Sequence, residues 1–209
     1  MNASAHDQPV TIITGSSRGI GKSTALLLAQ RGHRVVVSSR NQDSCQLVVD
    51  EIKAQGGEAT AIACHIGHEE QLQALIEGTL KAYQRIDSLI VNAASNPVYG
   101  PSDQVDQKAF DVIMRNNVYA SMRLAHLAKP AMKKSPAPSI VFVSSIAGQF
   151  GNRAIGVYGM SKAAENQLVR NLALELGPQG IRVNAVAPGL VKTDFAQALL
   201  ENEKMVRYF

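Results

Sequence analysis

The chain has 209 residues, of which 45% are hydrophobic and 18% charged, which is the make-up of an ordinary globular protein long enough to bury a sizeable core. Its net charge of +4 comes from 21 basic and 17 acidic residues spread along the sequence, which argues against a nucleic-acid footprint and leaves local anion binding open. No apolar stretch is long enough to span a membrane, and residues 1–9 lack the basic-then-apolar order of a secretory signal.

Residues 1–8 read as a loose tail and 9–209 as one domain. Short β-branched runs then alternate with longer helical patterns, the mark of repeated β-α units and a parallel sheet. Strands are predicted at 10–14, 34–38, 59–64, 88–92, 139–144 and 182–186, near-continuously apolar as strands covered on both faces are. Helices are predicted at 19–31, 43–55, 69–84, 108–134 and 158–176. Gly32 serves as a C-terminal stop, and Pro130 is expected to end or kink the fourth helix. Cys45 and Cys64 have neither metal-ligand nor redox spacing and read as free thiols of a reducing cytoplasm.

The first strand runs into Gly15-Ser16-Ser17-Arg18-Gly19-Ile20-Gly21 and then a helix. Such a turn makes an anion site from backbone alone, since the first helical N–H groups lack partners and the helix dipole is positive there. The spacing is Gly-x-x-x-Gly-x-Gly, not the usual Gly-x-Gly-x-x-Gly, and alone it reads equally well as a strand-ending turn. The second strand ends Val37-Ser38-Ser39-Arg40-Asn41, without the acid that would bind a ribose 2′-hydroxyl. Arg40, with Arg18 in the glycine loop, suits a 2′-phosphate instead and favours NADP(H). The same loop also fits Gly-x-Ser-x-Gly, the nucleophile elbow of serine hydrolases, with Ser17 as nucleophile. The later histidines, His33, His65, His68 and His126, supply that alternative poorly.

Towards the other end, Tyr158-Gly-Met-Ser-Lys162 follows Ser145, which closes an apolar strand. Spacing of four puts the phenol and the ammonium on one helix face. The ammonium is expected to bring the phenol towards a working pKa, with Ser145 holding a substrate oxygen against it. The bland alternative is a surface tyrosine beside a lysine; the place of the pair after a strand end, where α/β folds bind ligands, favours the chemical one.

With these motifs in this order, the chain resembles the short-chain dehydrogenase/reductase family over nearly its whole length. The resemblance implies a doubly wound Rossmann-type parallel sheet flanked by helices, and hydride transfer between NADP(H) and a ketone, aldehyde or secondary alcohol, with Tyr158 as general acid/base. Asn92-Ala-Ala-Ser95 is similar to the family's segment after the fourth strand, and Asn117 matches the helix asparagine that supports a water-linked proton relay. Ser145, Tyr158 and Lys162 match the remaining catalytic positions, Lys162 also holding the nicotinamide ribose. Cofactor contacts are implied for Gly15, Ser17, Arg18, Gly19, Ile20, Gly21, Ser39, Arg40, His65, Ile66, Asn92, Tyr158 and Lys162. Pro188, Gly189, Val191 and Thr193 match the segment at the nicotinamide carboxamide. No metal is implied. Cys64-His-Ile66 and Asn96-Pro-Val-Tyr-Gly100 are similar to the peroxisomal-type carbonyl reductase and retinol dehydrogenase branch.

Three departures accompany the resemblance. His65 stands where the family has an aspartate beside the adenine, and Ser95 where it has glycine. The chain stops at Phe209 with six predicted strands, before the family's seventh, so a C-terminal truncation is expected, with strand 182–186 left at an edge and catalysis at risk. A catalytically impaired cofactor-binding or assembly module is therefore the main alternative. Residues 190–208, with Phe195, Leu199, Leu200 and Met205, are expected to cover a substrate pocket. A homodimer or homotetramer through helices 108–134 and 158–176 is implied by the family.

Overall fold

The computed structural model describes residues 8–193. The expected tail, apart from Gln8, and the expected cover beyond residue 193, including Phe195, Leu199, Leu200 and Met205, lie outside the described residues. Six strands form one parallel sheet: β1 (Val10–Thr14), β2 (Arg34–Ser38), β3 (Glu58–Ala61), β4 (Ser88–Val91), β5 (Ser139–Val143) and β6 (Arg182–Val186). Their order is β3-β2-β1-β4-β5-β6, so the winding reverses between β1 and β4. In open α/β sheets that reversal opens a crevice at the carboxyl ends of the strands.

The helices are α1 (Gly19–Gln30), α2 (Gln42–Ala54), α3 (Glu69–Tyr83), α4 (Gln107–Met114), α5 (Ala120–Met132) and α6 (Gly156–Leu176). One sheet face carries α1 and α2, with Ala25, Val48 and Ile52 packed on Ile13, Val35 and Val37. The other carries α3, α5 and α6, where Leu75, Leu124 and Leu172 meet Ile12, Leu89, Ile140 and Phe142. Burial on both faces explains why β1 and β2 read as largely apolar runs, each buried along its full length. Local signals set the helix ends. Asn41 caps α2 through Ser44 N–H at 2.8 Å, and α3 opens on Glu69 and Glu70, where the dipole favours acids.

Beyond shifts of one or two residues at element ends, three features differ from the sequence reading. The expected strand 59–64 is regular only at Glu58–Ala61; beyond it, Ile62 and Cys64 donate to Val37 and Ser39 of the β2 end and the chain then turns away. The expected helix 108–134 is interrupted by a π-helical turn at Arg115–Tyr119 that separates α4 from α5. Pro130 sits inside α5, which continues to Met132, so the break lies at the π turn and not at the proline.

Candidate active site

The crevice at the β1/β4 reversal is a cleft of about 880 Å³. Its floor is the glycine turn. Gly15 and Gly19 have φ of +66° and +56°, a backbone that side-chain-bearing residues rarely adopt. Gly21 lies beneath: a Cβ there would come within 2.4 Å of the Gly15 carbonyl oxygen and 2.6 Å of Asn92 Nδ2. Arg18 precedes α1 without capping it through its side chain, and the first turn of α1 carries no acid, so the N-terminal end of α1 keeps its positive character. Buried Ser16 ties the turn down, donating to Ile13 O at 2.6 Å and accepting from Ser38 N–H at 2.9 Å.

Asn92, at the end of β4, fixes the turn from the other side. Its Nδ2 donates to the carbonyls of Thr14 and Gly15 at 2.9 and 3.0 Å. Ser17, Arg18, Ile20, Ser39, Arg40, His65 and Ile66 line one end of the cleft, and Pro188, Gly189, Val191 and Thr193 line it from the segment after β6. Thr193 lies close over Gly19, its Cγ2 3.4 Å from where a Cβ would stand. His65 Nδ1 accepts from Gly67 N–H at 3.1 Å, and the ring meets His68 edge-on with centroids 4.7 Å apart. Burial and then the positive charges around it (His68, Arg40, Arg115) hold His65 below its ordinary pKa. Among the described residues, neither cleft histidine is hydrogen-bonded to Ser17 as the base that the hydrolase alternative needs: His65 faces Gly67, and His68 lies 3.5 Å from Glu70.

The opposite wall carries the hydroxyls. Ser145, just beyond β5, accepts from Ala147 N–H at 3.1 Å and lines the cleft together with Tyr158. The Tyr158 ring packs among Ala147, Ile155, Ala94, Tyr99 and Leu190. Lys162, only 1% exposed, donates to the Val143 carbonyl at 2.9 Å and to Glu165 Oε2 at 2.8 Å. Its Nζ stands 5.9 Å from the centre of the Tyr158 ring. Burial raises the Tyr158 phenol pKa above the ordinary tyrosine value and Glu165 raises it further, while Ser145 opposes both.

Asn117 is fully buried behind this wall and does not line the cleft. Its Oδ1 accepts from Ser95 N–H at 2.7 Å, and its Nδ2 donates to Ser95 O at 3.0 Å and Ser161 Oγ at 2.9 Å. Asn117 thus joins the β4 loop to α6 from the π turn. The neighbouring Asn116 donates to Ser95 Oγ at 2.9 Å, so the serine in place of the usual glycine is held by a side chain of its own. Sequence reasoning missed Asn116, Tyr99 and Glu165; for Glu165 the available signal was its spacing of seven from Tyr158, which returns it to the same helix face.

This arrangement has a counterpart in known proteins. The family model described as short chain dehydrogenase matches residues 9–204. The chain belongs to the short-chain dehydrogenase/reductase family. Among its relatives, "Dehydrogenase/reductase SDR family member 4" of Rattus norvegicus is 38% identical over 201 residues, which are 95% of this chain and 72% of that protein. "Tropinone reductase-like 3" of Erythroxylum coca is 39% identical over 194 residues, 93% of this chain and 74% of that one. A solved 7α-hydroxysteroid dehydrogenase complexed with NADH and 7-oxo glycochenodeoxycholic acid superposes with a TM-score of 0.87 at 36% identity, covering 95% of this chain and 78% of that one. Membership of the short-chain dehydrogenase/reductase family makes the protein an oxidoreductase that uses a nicotinamide cofactor. The cleft fits such a group: a glycine cradle that a Cβ would fill, two arginines at one end and paired hydroxyls at the other.

Proposed function

We propose that this protein is an NADP(H)-dependent oxidoreductase interconverting a ketone or aldehyde and the corresponding alcohol, with Tyr158 as general acid/base. The observation that carries the reading is that Ser145, Tyr158 and the buried Lys162 line the same cleft as the glycine turn. When bound, the reduced nicotinamide supplies the hydride. Ser145 orients the substrate oxygen, and Tyr158 gives it a proton in reduction or takes one in oxidation. Lys162 has three donors, two of them engaged by Val143 and Glu165, which leaves one for the nicotinamide ribose. Asn117 keeps the β4 loop and α6 in register behind these groups.

The preference for NADP(H) rests on Arg18 and Arg40 beside a β2 end that lacks an acid. The 7α-hydroxysteroid dehydrogenase has NADH bound, so support for NADP(H) comes from this chain's own arginines and not from that neighbour. Tyr99, Ile155 and Leu190 give the substrate end apolar walls, which suits a carbonyl on an apolar skeleton. Subunit pairing through α4–α5 and α6 is supported by the exposed apolar side chains of Tyr119, Met160 and Leu174. Among the described residues no helix is long and apolar enough to cross a membrane. Buried, unpaired Cys45 and Cys64 support a reducing compartment such as the cytoplasm.

The test is a fluorescence titration with NADPH and NADH, followed by a carbonyl panel for the wild type and Tyr158→Phe. Tighter NADPH binding, with turnover abolished and cofactor binding kept in the variant, is expected. Equal turnover in Tyr158→Phe would sink the assignment. NADPH binding without any turnover would point to a binding module.

A further inference from the structure

We propose that Glu165 is a positioning residue for this reaction: its carboxylate is the counter-ion that fixes the Lys162 ammonium against β5 and offsets that cation's pull on the Tyr158 phenol. The inference rests on the reading of Tyr158 as the proton-transfer group.

Residues 158, 162 and 165 stand at spacings of four and seven, so phenol, ammonium and carboxylate form one row along the inner face of α6. Lys162 and Glu165 are each 1% exposed, with Nζ and Oε2 2.8 Å apart. A carboxylate placed so deeply is retained only with a partner, and the ammonium is that partner. The second oxygen, Oε1, has no hydrogen-bond donor, and the nearby Ser144 hydroxyl is given to Asn166 Oδ1 at 2.7 Å. Glu165 therefore makes one strong contact, and that contact is to the lysine.

Two effects follow. Held between the Val143 carbonyl and Glu165, the ammonium has little freedom to swing towards the phenol, in keeping with its 5.9 Å distance from the ring centre. The carboxylate also stands on the same row as the phenol, so Tyr158 meets the anion along with the cation that it holds. From the elements packed around this row come Tyr99 of the β4–α4 segment, Ser145 and the Ser144 hydroxyl beyond β5. Among the described residues the charged groups acting on Tyr158 or Glu165 are Lys162 and Glu165 themselves. Burial raises the Glu165 carboxyl while Lys162 and then Ser144 oppose it, and Glu165 is the second cause, after burial, of the raised Tyr158 phenol.

The discriminating variant is Glu165→Gln, which keeps the shape and an acceptor oxygen but removes the charge. Tyr158 ionisation is followed by the ultraviolet absorbance of tyrosinate, as the difference between each protein and the same protein carrying Tyr158→Phe. In Glu165→Gln the Tyr158 transition is expected about one pH unit or more lower, and the limb of the pH–rate profile that reports the phenol moves with it. An unchanged transition overturns the inference, whatever the turnover. If Glu165→Gln does not fold, Glu165→Leu removes the same charge with an apolar side chain of similar size. The unsubstituted protein gives a further check: a Tyr158 transition below about 10, where an unopposed lysine would place it, overturns the inference without any Glu165 variant. Absorbance needs neither cofactor nor substrate. An inactive wild type with the expected shift would therefore fail the catalytic reading alone, and an active wild type with no shift would fail this inference alone.

Discussion

Asn92 and Thr14 hold each other twice: the Asn92 amide donates to the Thr14 carbonyl at 2.9 Å, and the Asn92 backbone N–H donates to Thr14 Oγ1 at 3.1 Å. This clasp joins β1 to β4 where the sheet reverses its winding. Asn92→Ala removes the amide's bonds to Thr14 and Gly15 and is expected to lower stability by about 1–2 kcal/mol. Cofactor affinity should fall with it by roughly tenfold, the equivalent of about 1.4 kcal/mol. Urea denaturation and a fluorescence titration measure the two effects. Undiminished affinity would show that the glycine turn keeps its shape unaided.

The glycines of the turn are not interchangeable with glycines elsewhere. In Gly21→Ala the new methyl meets the Gly15 carbonyl, 2.4 Å away, and backbone must move. A loss of about 1–3 kcal/mol is expected, together with weak cofactor binding. Gly156→Ala, at the start of α6 with no atom within 4 Å of the new methyl, is the control and should change stability by no more than about 0.5 kcal/mol. Equal thermal stability for the two variants would contradict the crowded cradle.

Arg18 and Arg40 divide the two cofactors by charge. The double variant Arg18→Ala/Arg40→Ala is expected to weaken NADPH binding by about tenfold or more, because charge-assisted bonds to a phosphate contribute roughly 1.5–3 kcal/mol each. NADH binding should change little. Raising the salt concentration should narrow the wild-type preference, since exposed cations are screened. Parallel losses for both cofactors would place the arginines away from the 2′-phosphate.

At the opposite end of the sheet, Asp87 accepts from Val10 N–H at 2.7 Å, from Arg85 and from the Ser135 hydroxyl. Burial alone would raise its pKa, but these bonds and the Arg85 charge outweigh it and hold the carboxyl below its ordinary value of 3.8. A depressed folded pKa means stability that is present above the unfolded value and lost as pH falls through the folded one. Asp87→Asn should therefore cost about 1–3 kcal/mol at neutral pH. That difference should shrink as the pH drops below about 4. Urea curves at neutral and acid pH check both the size and the sign.

The sheet was legible because its inner strands are largely apolar and buried on both faces, as β1 and β2 are; both occupy the predicted ranges, as does the more exposed β6. The β3 strand was read too long because Ile62 and Cys64 still bond to the β2 end after the regular ladder has stopped. Nothing between Arg115 and Tyr119 warns of a π turn: the segment has neither glycine nor proline, and Ile113, Asn117, Ser121 and Ala125 keep an unbroken helical spacing of buried positions. Ser145, Tyr158 and Lys162 stood out by spacing together with their place after a strand end, and all three line one cleft. The ionic state of that row did not, because it depends on Glu165, and a carboxylate in a helix reads as a solvated residue until the burial of its neighbour is known. The sequence reading had the Lys162 ammonium, aided by the nicotinamide's charge, stabilise the phenolate; the structure pairs that ammonium with Glu165 at 2.8 Å.

The strand order has a consequence for the life of the molecule. Thr14 and Asn92, whose clasp frames the cofactor cradle, are 78 residues apart, and the paired hydroxyls come from segments further along still. A partly folded chain that has not brought β1 beside β4 offers no cradle, so the nicotinamide cofactor is a ligand of the native state alone. At a free concentration of about 100 times its dissociation constant, such a ligand adds roughly 2.7 kcal/mol to the unfolding free energy. The persistence of this protein in a cell is thereby tied to the supply of the nucleotide it uses.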